Sequence, residues 1–266
     1  AWGISRHQTI PLPPLCRQFI GHGLLIPAPL SARTDGVSPD AKMAKVEEKG
    51  YFIDFFEYEE ANLLEIDDET IVVAGIPIVA GVLARLGISP PELASVPESI
   101  SHYACRRIWN GTIGEARNAV DHGGSLFIKP IPHERKLFGG KVVSNYRDLA
   151  ITASLPDDHP VICSDPVSMV SEYRVFILKG DIVGCHHYKG DFRLFPNFQV
   201  IDSFVQEFSE APSGYGVDFA VTKSGETILV EVNEGFSLGC YGLPPLLYSS
   251  IIEARWGDFH ARKKSG

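Results

Sequence analysis

Hydrophobic positions in the first hundred residues predict a strand followed by a helix. In the stretch TIVVAGIPIVAGVLARLG, the β-branched run from Ile71 to Ala74 predicts a short buried strand. A turn follows, and apolar residues then recur at helical spacing until Gly87, where we expect the helix to end. A strand joined to a helix in this way is typical of a layered α/β unit.

Two further segments before residue 125 are predicted as helices, SHYACRRIWN and TIGEARNAVDHGG. In the second segment, Thr112 and Glu115 have the spacing of a capping box. Gly123 and Gly124 follow its last periodic position and provide a stop signal. The pattern up to this point therefore favours helices over strands.

After residue 124 the pattern favours strands joined by short turns. Strands are predicted in SLFIKP, KVVS and PVICSDPV, a helix in NYRDLAITASL, and β-hairpins in SEYRVFILKGDIVGCHHY and YGVDFAVTKSGETILVEVN. The predicted fold class is α/β followed by α+β. The Pro-rich stretch at residues 89–99 is the predicted boundary, between domains over residues 1–100 and 101–266. Residues 1–40 are rich in Pro and Gly and show little periodicity.

Composition excludes some partners. The 266 residues are 44% hydrophobic and 21% charged, which is typical of a soluble globular protein. A net charge of −9 argues against nucleic acid or an anionic membrane as the main partner, because both require a basic surface. The longest uncharged apolar stretch, Ile71 to Ala84, is too short to span a bilayer, and we expect no signal peptide. Five scattered cysteines without a C-x-x-C pair favour reduced thiols in a cytoplasm.

The second predicted hairpin carries three oxygen-bearing side chains. Alternation along its last strand places Glu231 and Asn233 on one face. A four-residue turn between the strands would bring Asp218 opposite Glu231. Adjacent carboxylates repel unless a cation or proton lies between them, and hard oxygen ligands suit Mg²⁺ or Mn²⁺. We therefore predict a metal site there, and the alternative is that these side chains are solvated on an exposed sheet face.

The first predicted hairpin presents positive charge. A two-residue turn would place Arg174 opposite Cys185, and Glu172 would then lie opposite His187. One strand face would carry Glu172, Arg174, His187 and Lys189. Arg174 and Lys189 form a cationic pair that suits a polyphosphate. The alternative is a surface ladder of salt bridges.

A lysine at the end of another predicted strand adds a candidate phosphate contact. Lys129 closes the segment SLFIKP and is followed by the loop IPHERKLFGG, which ends at Gly139 and Gly140. Backbone N–H groups of such a loop can bind phosphates. The loop is not a P-loop, because the sequence has no G-x-x-x-x-G-K. The alternative is an ordinary hairpin with a charged tip.

Taken together, these segments resemble the ATP-grasp superfamily over roughly residues 101–255. The resemblance is most specific in SDPVSMVSEYRVFILKG and VDFAVTKSGETILVEVNEGFSLGCYG. It implies a two-lobed antiparallel α+β domain, with lobes at about residues 101–160 and 161–255. Residues 1–100 would be the preceding substrate-side domain.

The resemblance also implies roles for individual residues. Lys129 would contact the ATP phosphates, Arg174 would meet the γ-phosphate, and the loop from His133 to Gly140 would be a mobile lid. An additional basic residue would be Arg106 or Arg107. The implied ligands of Mg²⁺, with Mn²⁺ as an alternative, are Asp218, Glu231 and Asn233. The full set of implied nucleotide-binding residues is Lys129, Gly139, Gly140, Ile162, Cys163, Ser164, Asp165, Val167, Glu172, Arg174 and Lys189, in which residues 162–167 form the link between the lobes and Asp165 serves the adenine amino side or the ribose.

The activity implied by the resemblance is an ATP-dependent ligase. It would join a carboxylate to an amine or related nucleophile through an acyl phosphate, with a small molecule or peptide as substrate. No protein nucleophile is needed, which agrees with the absence of a G-x-S-x-G motif from the sequence. Two alternatives stay open: a phosphotransferase on the same scaffold, and a non-catalytic nucleotide-binding module.

Overall fold

The computed structural model describes residues 23–27, 52–56, 60–67, 70–89, 95–131 and 137–265. The chain forms two compact units. The first comprises Ala1–Pro91, Pro212–Tyr215 and Glu234–Gly266, and the second comprises Glu92–Ala211 and Gly216–Asn233. The domain boundary near residue 100 stays a prediction. The predicted loop-rich stretch over residues 1–40 lies outside the described residues, except for one strand.

Strands and helices alternate along the described part of the chain. The strands are β1 (Gly23–Pro27), β2 (Phe52–Phe56), β3 (Thr70–Val72), β4 (Ile108–Thr112), β5 (Leu126–Pro130), β6 (Lys141–Val143), β7 (Pro160–Ser164), β8 (Met169–Leu178), β9 (Asp181–Gly190), β10 (Gly214–Thr222) and β11 (Thr227–Glu234). The α-helices are α1 (Ile76–Arg85), α2 (Ile113–Asp121), α3 (Phe198–Glu207) and α4 (Pro245–Ser265). Among the described residues, no helix combines the length and the apolar character that crossing a membrane requires.

The first unit contains a parallel sheet in the order β2-β1-β3. The predicted strand and helix near residues 71–87 are confirmed as β3 and α1. Gly87 ends the helical segment in the left-handed region, with φ of +72°. Val72 and Leu83 are fully buried and belong to one core with Trp256 and Phe259 of α4. That core accounts for the apolar pattern that predicted these elements.

One antiparallel sheet of the second unit has the order β4-β7-β5-β6. Helix α2 packs on it and contributes Ile113, Ala116 and Val120 to a core with Ile128. The predicted helix start is confirmed, because the Thr112 hydroxyl accepts a hydrogen bond from the backbone N–H of Glu115. The sheet places Lys129 on β5, one strand from β7.

The other four-stranded sheet has the order β11-β10-β8-β9. Both predicted hairpins are present, with a two-residue turn at Lys179 and Gly180 and a four-residue turn between Thr222 and Thr227. Lys179 and Gly180 both have positive φ, of 52° and 88°. Strand β10 is buried along its whole length. The mixed fold with two antiparallel sheets confirms the predicted fold class.

Two predicted helices are wrong in part. The segment over residues 101–110 contains only the end of a 3₁₀ helix, Glu98–Ala104, because Cys105 adopts a left-handed conformation with φ of 51°. The chain then enters β4, where Trp109 pairs with Cys163 of β7. The segment over residues 145–155 is helical only at Asp148–Thr152, also as a 3₁₀ turn. Strand pairing and a local reversal of the backbone override helical propensity here.

The predicted register of the β8–β9 hairpin is also wrong. Arg174 pairs with His186 and not with Cys185, because Val183 is an extra residue on β9 between two paired positions. Tyr188 is a second extra residue, so that Glu172 pairs with Lys189 and not with His187. Each β-bulge shifts the pairing by one residue, and alternation by itself contains no signal for it.

Candidate functional site

The candidate site begins with the side chains that β10 and β11 present. Asp218 on β10 is buried, with only 4% of its surface exposed. The Asn233 side-chain amide on β11 donates to Asp218 Oδ2 at 3.4 Å. The predicted metal ligands Asp218 and Asn233 are therefore in contact. The alternative of a solvated Asp218 on an exposed face is wrong.

Arg174 binds Asp218 through two parallel hydrogen bonds. Its Nε donates to Asp218 Oδ1, and its Nη2 donates to Asp218 Oδ2 at 2.8 Å. Arg174 is only 5% exposed, so the predicted alternative of a surface salt-bridge ladder is wrong for this residue. Burial raises the pKa of Asp218, and the hydrogen bonds and positive charge of Arg174 oppose that rise. The arginine is a fixed cation beside the predicted metal ligands.

Lys129 and Glu231 join the two antiparallel sheets of the second unit. Lys129 Nζ on β5 donates to Glu231 Oε2 on β11 at 3.1 Å. The side chains are 21% and 34% exposed, so solvent or a ligand reaches both of them. The structure thus brings the predicted phosphate contact and the predicted metal ligand to the same place, although 102 positions separate them in sequence.

Glu172 forms a second polar cluster on the same strand as Arg174. The Tyr188 hydroxyl donates to Glu172 at 2.9 Å, and Lys189 Nζ donates to it at 2.5 Å. Both contacts follow from the bulge at Tyr188, which sets two residues of β9 against one of β8. Burial raises the pKa of Tyr188, so this phenol stays a hydrogen-bond donor. Sequence reasoning missed Tyr188, because alternation assigned it to the opposite face.

His187 does not belong to this cluster, contrary to the prediction. Its ring packs edge-on against Tyr173, with ring centroids 5.1 Å apart. Tyr173 pairs with His187 across the hairpin, and neighbours on a strand point to opposite faces. His187 therefore lies on the other face of the sheet from Glu172 and Arg174.

The predicted link between the lobes lies at the end of β7. Cys163 is fully buried in the core of its sheet, and burial raises the pKa of its thiol to about 11. Ser164 is also buried, whereas Ile162 and Val167 are half-buried. Both Asp165 oxygens accept hydrogen bonds from Arg107, at 2.9 and 2.8 Å. The nucleotide-binding roles of these residues stay predictions.

The predicted lid is only partly described, because residues 132–136 lie outside the described residues. At its end, Phe138 is buried in the core beneath α2. A side chain at Gly140 would place its Cβ 2.8 Å from the Phe127 ring, so glycine is needed for this close approach to β5. Gly139 has no such neighbour, and a Cβ there would enter open space.

The two candidate upstream arginines have different environments. Arg107 is exposed, paired with Asp165, and placed with its guanidinium carbon 5.6 Å from the centroid of the Trp109 ring. Arg106 is half-buried and donates from Nη1 to Leu229 O at 2.7 Å and from Nη2 to Val230 O at 3.1 Å. Arg106 is therefore the arginine that contacts the strand of Glu231.

The donor set fits a hard divalent cation in its chemistry. Glu231 and Asn233 supply a carboxylate and an amide two positions apart on β11, and Asp218 lies beside Asn233. A search for groups of three or more His, Cys, Asp and Glu side chains placed to hold a metal finds none within the described residues. Such a search omits the amide of Asn233, and Arg174 already engages both oxygens of Asp218. Glu231 and Asn233 are thus the better-placed pair.

Comparisons with known proteins agree on one family. A family model described as an ATP-grasp domain, the second family of its clade, matches residues 103–251. A search of curated proteins finds no significant match. Solved structures with the same fold include N5-carboxyaminoimidazole synthetase from Staphylococcus aureus, with a TM-score of 0.58 and 10% identity over 90% of this chain and 78% of that one.

Two other structures share the fold over almost their full length. D-alanine–D-alanine ligase from Bacillus anthracis, complexed with ATP, has a TM-score of 0.54 and 17% identity, over 92% of this chain and 99% of that one. A RiPP-associated ATP-grasp ligase from Chryseobacterium gregarium, in complex with ADP and with a leader and core peptide, has a TM-score of 0.52 and 12% identity. That match covers 91% of this chain and 97% of that one. At these identities the likeness is one of fold.

Proposed function

The chain belongs to this family of ATP-grasp domains, and from this premise we propose that it is an ATP-dependent ligase. The proposed reaction joins a carboxylate to an amine or related nucleophile. The observation that carries the proposal is the contact of Lys129 with Glu231, beside the cluster of Arg174, Asp218 and Asn233. A cation for phosphate and oxygen ligands for metal are the groups that phosphoryl transfer requires.

In the proposed nucleotide site, the phosphates lie at Lys129 and the adenine lies at the end of β7. Lys129 is partly exposed and already pairs with the carboxylate of Glu231, so it can exchange that partner for a phosphate oxygen. Ile162 and Val167 offer apolar surface to the adenine, and the backbone there would read its edge. The proposed contacts of Gly139, Gly140, Glu172 and Lys189 complete the set.

Glu231 and Asn233 are the proposed ligands of Mg²⁺, with Mn²⁺ as an alternative and Asp218 as the adjoining carboxylate. A bound divalent cation would neutralise phosphate charge during transfer. Arg174 holds Asp218 in place through two hydrogen bonds. Because this guanidinium is buried and fixed, its charge acts at the site without reorganisation. A direct contact between Arg174 and the γ-phosphate remains part of the proposal.

The proposed reaction has two steps. A substrate carboxylate oxygen attacks the γ-phosphorus, the bond to the bridging oxygen of ADP breaks, and an acyl phosphate forms. The nitrogen of an amine then attacks the acyl carbon, and inorganic phosphate leaves as the amine gives up a proton. Lys129 and Arg174 stabilise the negative charge on the transferred group. A peptide or a small molecule could supply the carboxylate, and the relative in complex with leader and core peptides makes a peptide substrate worth testing first.

Nucleotide binding is tested first, by thermal unfolding with ADP and with Mg-ATP. A ligand at 100 times its Kd adds about 2.7 kcal/mol to the free energy of unfolding, which is a clear shift for a chain of this size. The variant Lys129→Met should lose most of the shift. An unchanged melting temperature at millimolar Mg-ATP would contradict the proposal.

The reaction itself is tested by incubating the protein with Mg-ATP and pools of amino acids or peptides. Release of phosphate together with a product that has lost one water relative to its two substrates supports a ligase. A product that carries a phosphoryl group would instead support a phosphotransferase. Binding of nucleotide with no product in any pool would favour a non-catalytic module.

A further inference from the structure

The outer edge of β11 is covered by the chain segment at residues 95–106. Strand β11 is the last strand of its sheet, and an edge strand exposes backbone groups that need partners. The Val232 N–H donates to the Ser95 carbonyl at 2.7 Å. Arg106 donates to the carbonyls of Leu229 and Val230, at 2.7 and 3.1 Å. These contacts lie on both sides of Glu231 in the sequence.

Arg106 is itself held in one conformation. Its Nη1 also donates to the Ala104 carbonyl at 3.0 Å, and the left-handed Cys105 turns the chain between those two residues. Burial lowers the pKa of Arg106, while the negative charge of Glu231 is among the effects that oppose this change. A planar guanidinium can donate to two carbonyls at once, which an ammonium group cannot reproduce from a single point.

We propose that Arg106 is a positioning residue, which fixes the β11 backbone before Glu231 and so places the oxygen ligands of the site. This inference rests on the proposed function for its consequence, but its structural part does not. Arg106 would act through β11 and would not contact the nucleotide. Residues that orient metal ligands usually change metal affinity by about 10- to 100-fold when they are replaced.

The structural part is tested by hydrogen exchange of the full, ligand-free chain. In Arg106→Gln, the Val232 amide should exchange about 10-fold faster or more, because two hydrogen bonds from a charged donor to adjacent carbonyls are weakened. Arg117→Gln is the matched control. Arg117 also donates to two backbone carbonyls, those of Thr152 and Leu155, at 3.1 and 2.9 Å, but not to β11. Its replacement should leave exchange at Val232 unchanged.

The functional part is tested by metal and nucleotide binding, measured separately. Mn²⁺ binding in the presence of ADP, followed by electron paramagnetic resonance, should weaken by about 10-fold or more in Arg106→Gln. The affinity for ADP in EDTA should stay within about 2-fold, since Arg106 is not proposed to touch phosphate. An equal loss of ADP affinity in EDTA would overturn the positioning role in favour of a phosphate contact.

The remaining outcomes are also decisive. Unchanged exchange at Val232 in Arg106→Gln overturns the structural part. If that variant does not fold, Arg106→Lys keeps the charge without the fork, and it should show the same direction of change in both measurements. If the wild-type protein binds neither ADP nor Mn²⁺, the proposed function fails, while the exchange experiment still supports or overturns the hold on β11.

Discussion

Two arginine–aspartate pairs of similar geometry lie in very different surroundings. Arg174 and Asp218 are buried, whereas Arg193 and Asp191 form the same two-bond arrangement with the Arg193 side chain 75% exposed. An exposed ion pair contributes little to stability, because water competes for both charges. A buried pair is costly to break, because it leaves a desolvated group without its partner. The two pairs therefore allow one chemical change to be tested in two environments.

Replacing Arg174 by lysine should harm both stability and function. Lysine keeps the charge but cannot donate in parallel to both Asp218 oxygens, so we expect the free energy of unfolding to fall by about 1–3 kcal/mol. Urea denaturation measures this change, and Arg193→Lys is the control that should keep the wild-type midpoint. ATP turnover should also be lost in Arg174→Lys. Equal midpoints for the two variants would show that burial of the pair does not matter.

Glu231→Gln should separate metal binding from nucleotide binding. The side chain is partly exposed and its pair with Lys129 is not deeply buried, so the fold should tolerate the change. Thermal unfolding should keep the shift produced by ADP but lose the further shift produced by Mg²⁺, and Asn233→Ala should behave alike. Glu226→Gln, in the turn between β10 and β11, should keep both shifts. A normal response of Glu231→Gln to Mg²⁺ would contradict the proposed ligand.

At the scale of elements, the end of β11 and the start of β10 approach α4 within the first unit. A Cβ added at Gly235 would lie 1.9 Å from Gly214 O and 3.1 Å from Arg255 Cβ. A Cβ added at Gly214 would lie 2.1 Å from Ile251 O. Arg255 is 1% exposed and binds Glu234 with two hydrogen bonds, at 2.7 and 2.9 Å. Glycine is required here for close packing of backbones, although neither position needs an unusual φ.

Gly235→Ala should be strongly destabilising for that reason. We expect a loss of at least about 2 kcal/mol in the free energy of unfolding, because backbone atoms and not flexible side chains must move. The control is Gly257→Ala in the middle of α4, where an added Cβ meets no atom within 4 Å. This control should gain about 0.5–1 kcal/mol from helix propensity. Chemical denaturation of both variants checks the contrast, and a stable Gly235→Ala would refute the close approach.

At the scale of the whole molecule, charge and cysteine content bear on the partners. The net charge is −9, and no disulfide joins the cysteines that the structure describes. A reduced, cytoplasmic setting and the absence of nucleic-acid partners stay predictions. Any basic character at the proposed site is local, because Lys129 and Arg174 are each paired with a carboxylate.

The charge balance predicts that the protein does not bind DNA. Fluorescence anisotropy of a labelled duplex, and of a single strand, should not change with micromolar protein at about 50 mM salt, because no excess of cations is available to release counterions. The same protein sample should bind Mg-ATP in parallel, which shows that it is folded. A rise in anisotropy that weakens steeply with added salt would contradict the prediction.

Local features of the sequence were sufficient for most strands and both hairpins. Period-two alternation depends only on the pleat of a strand, and turn residues such as Gly180 act within a few positions. The same alternation is sufficient to assign Glu231 and Asn233 to one strand face. The family resemblance, over residues 101–255, agrees with the matched ATP-grasp domain over residues 103–251. These signals are readable because their causes lie within a few residues of each other.

Only the tertiary structure decided which charged groups meet. Lys129 pairs with Glu231, and Arg174 pairs with Asp218 and not with its strand neighbour Glu172, because the packing of strands and sheets brings distant residues together. The bulge at Tyr188 moved His187 to the other face, and the left-handed Cys105 turned a predicted helix into a strand entry. A bulge changes the pairing of every residue beyond it, while the residues that form it are ordinary in sequence. Burial then determines whether an ion pair stabilises the fold, since the cost of removing charge from water is set by surroundings that no local pattern contains.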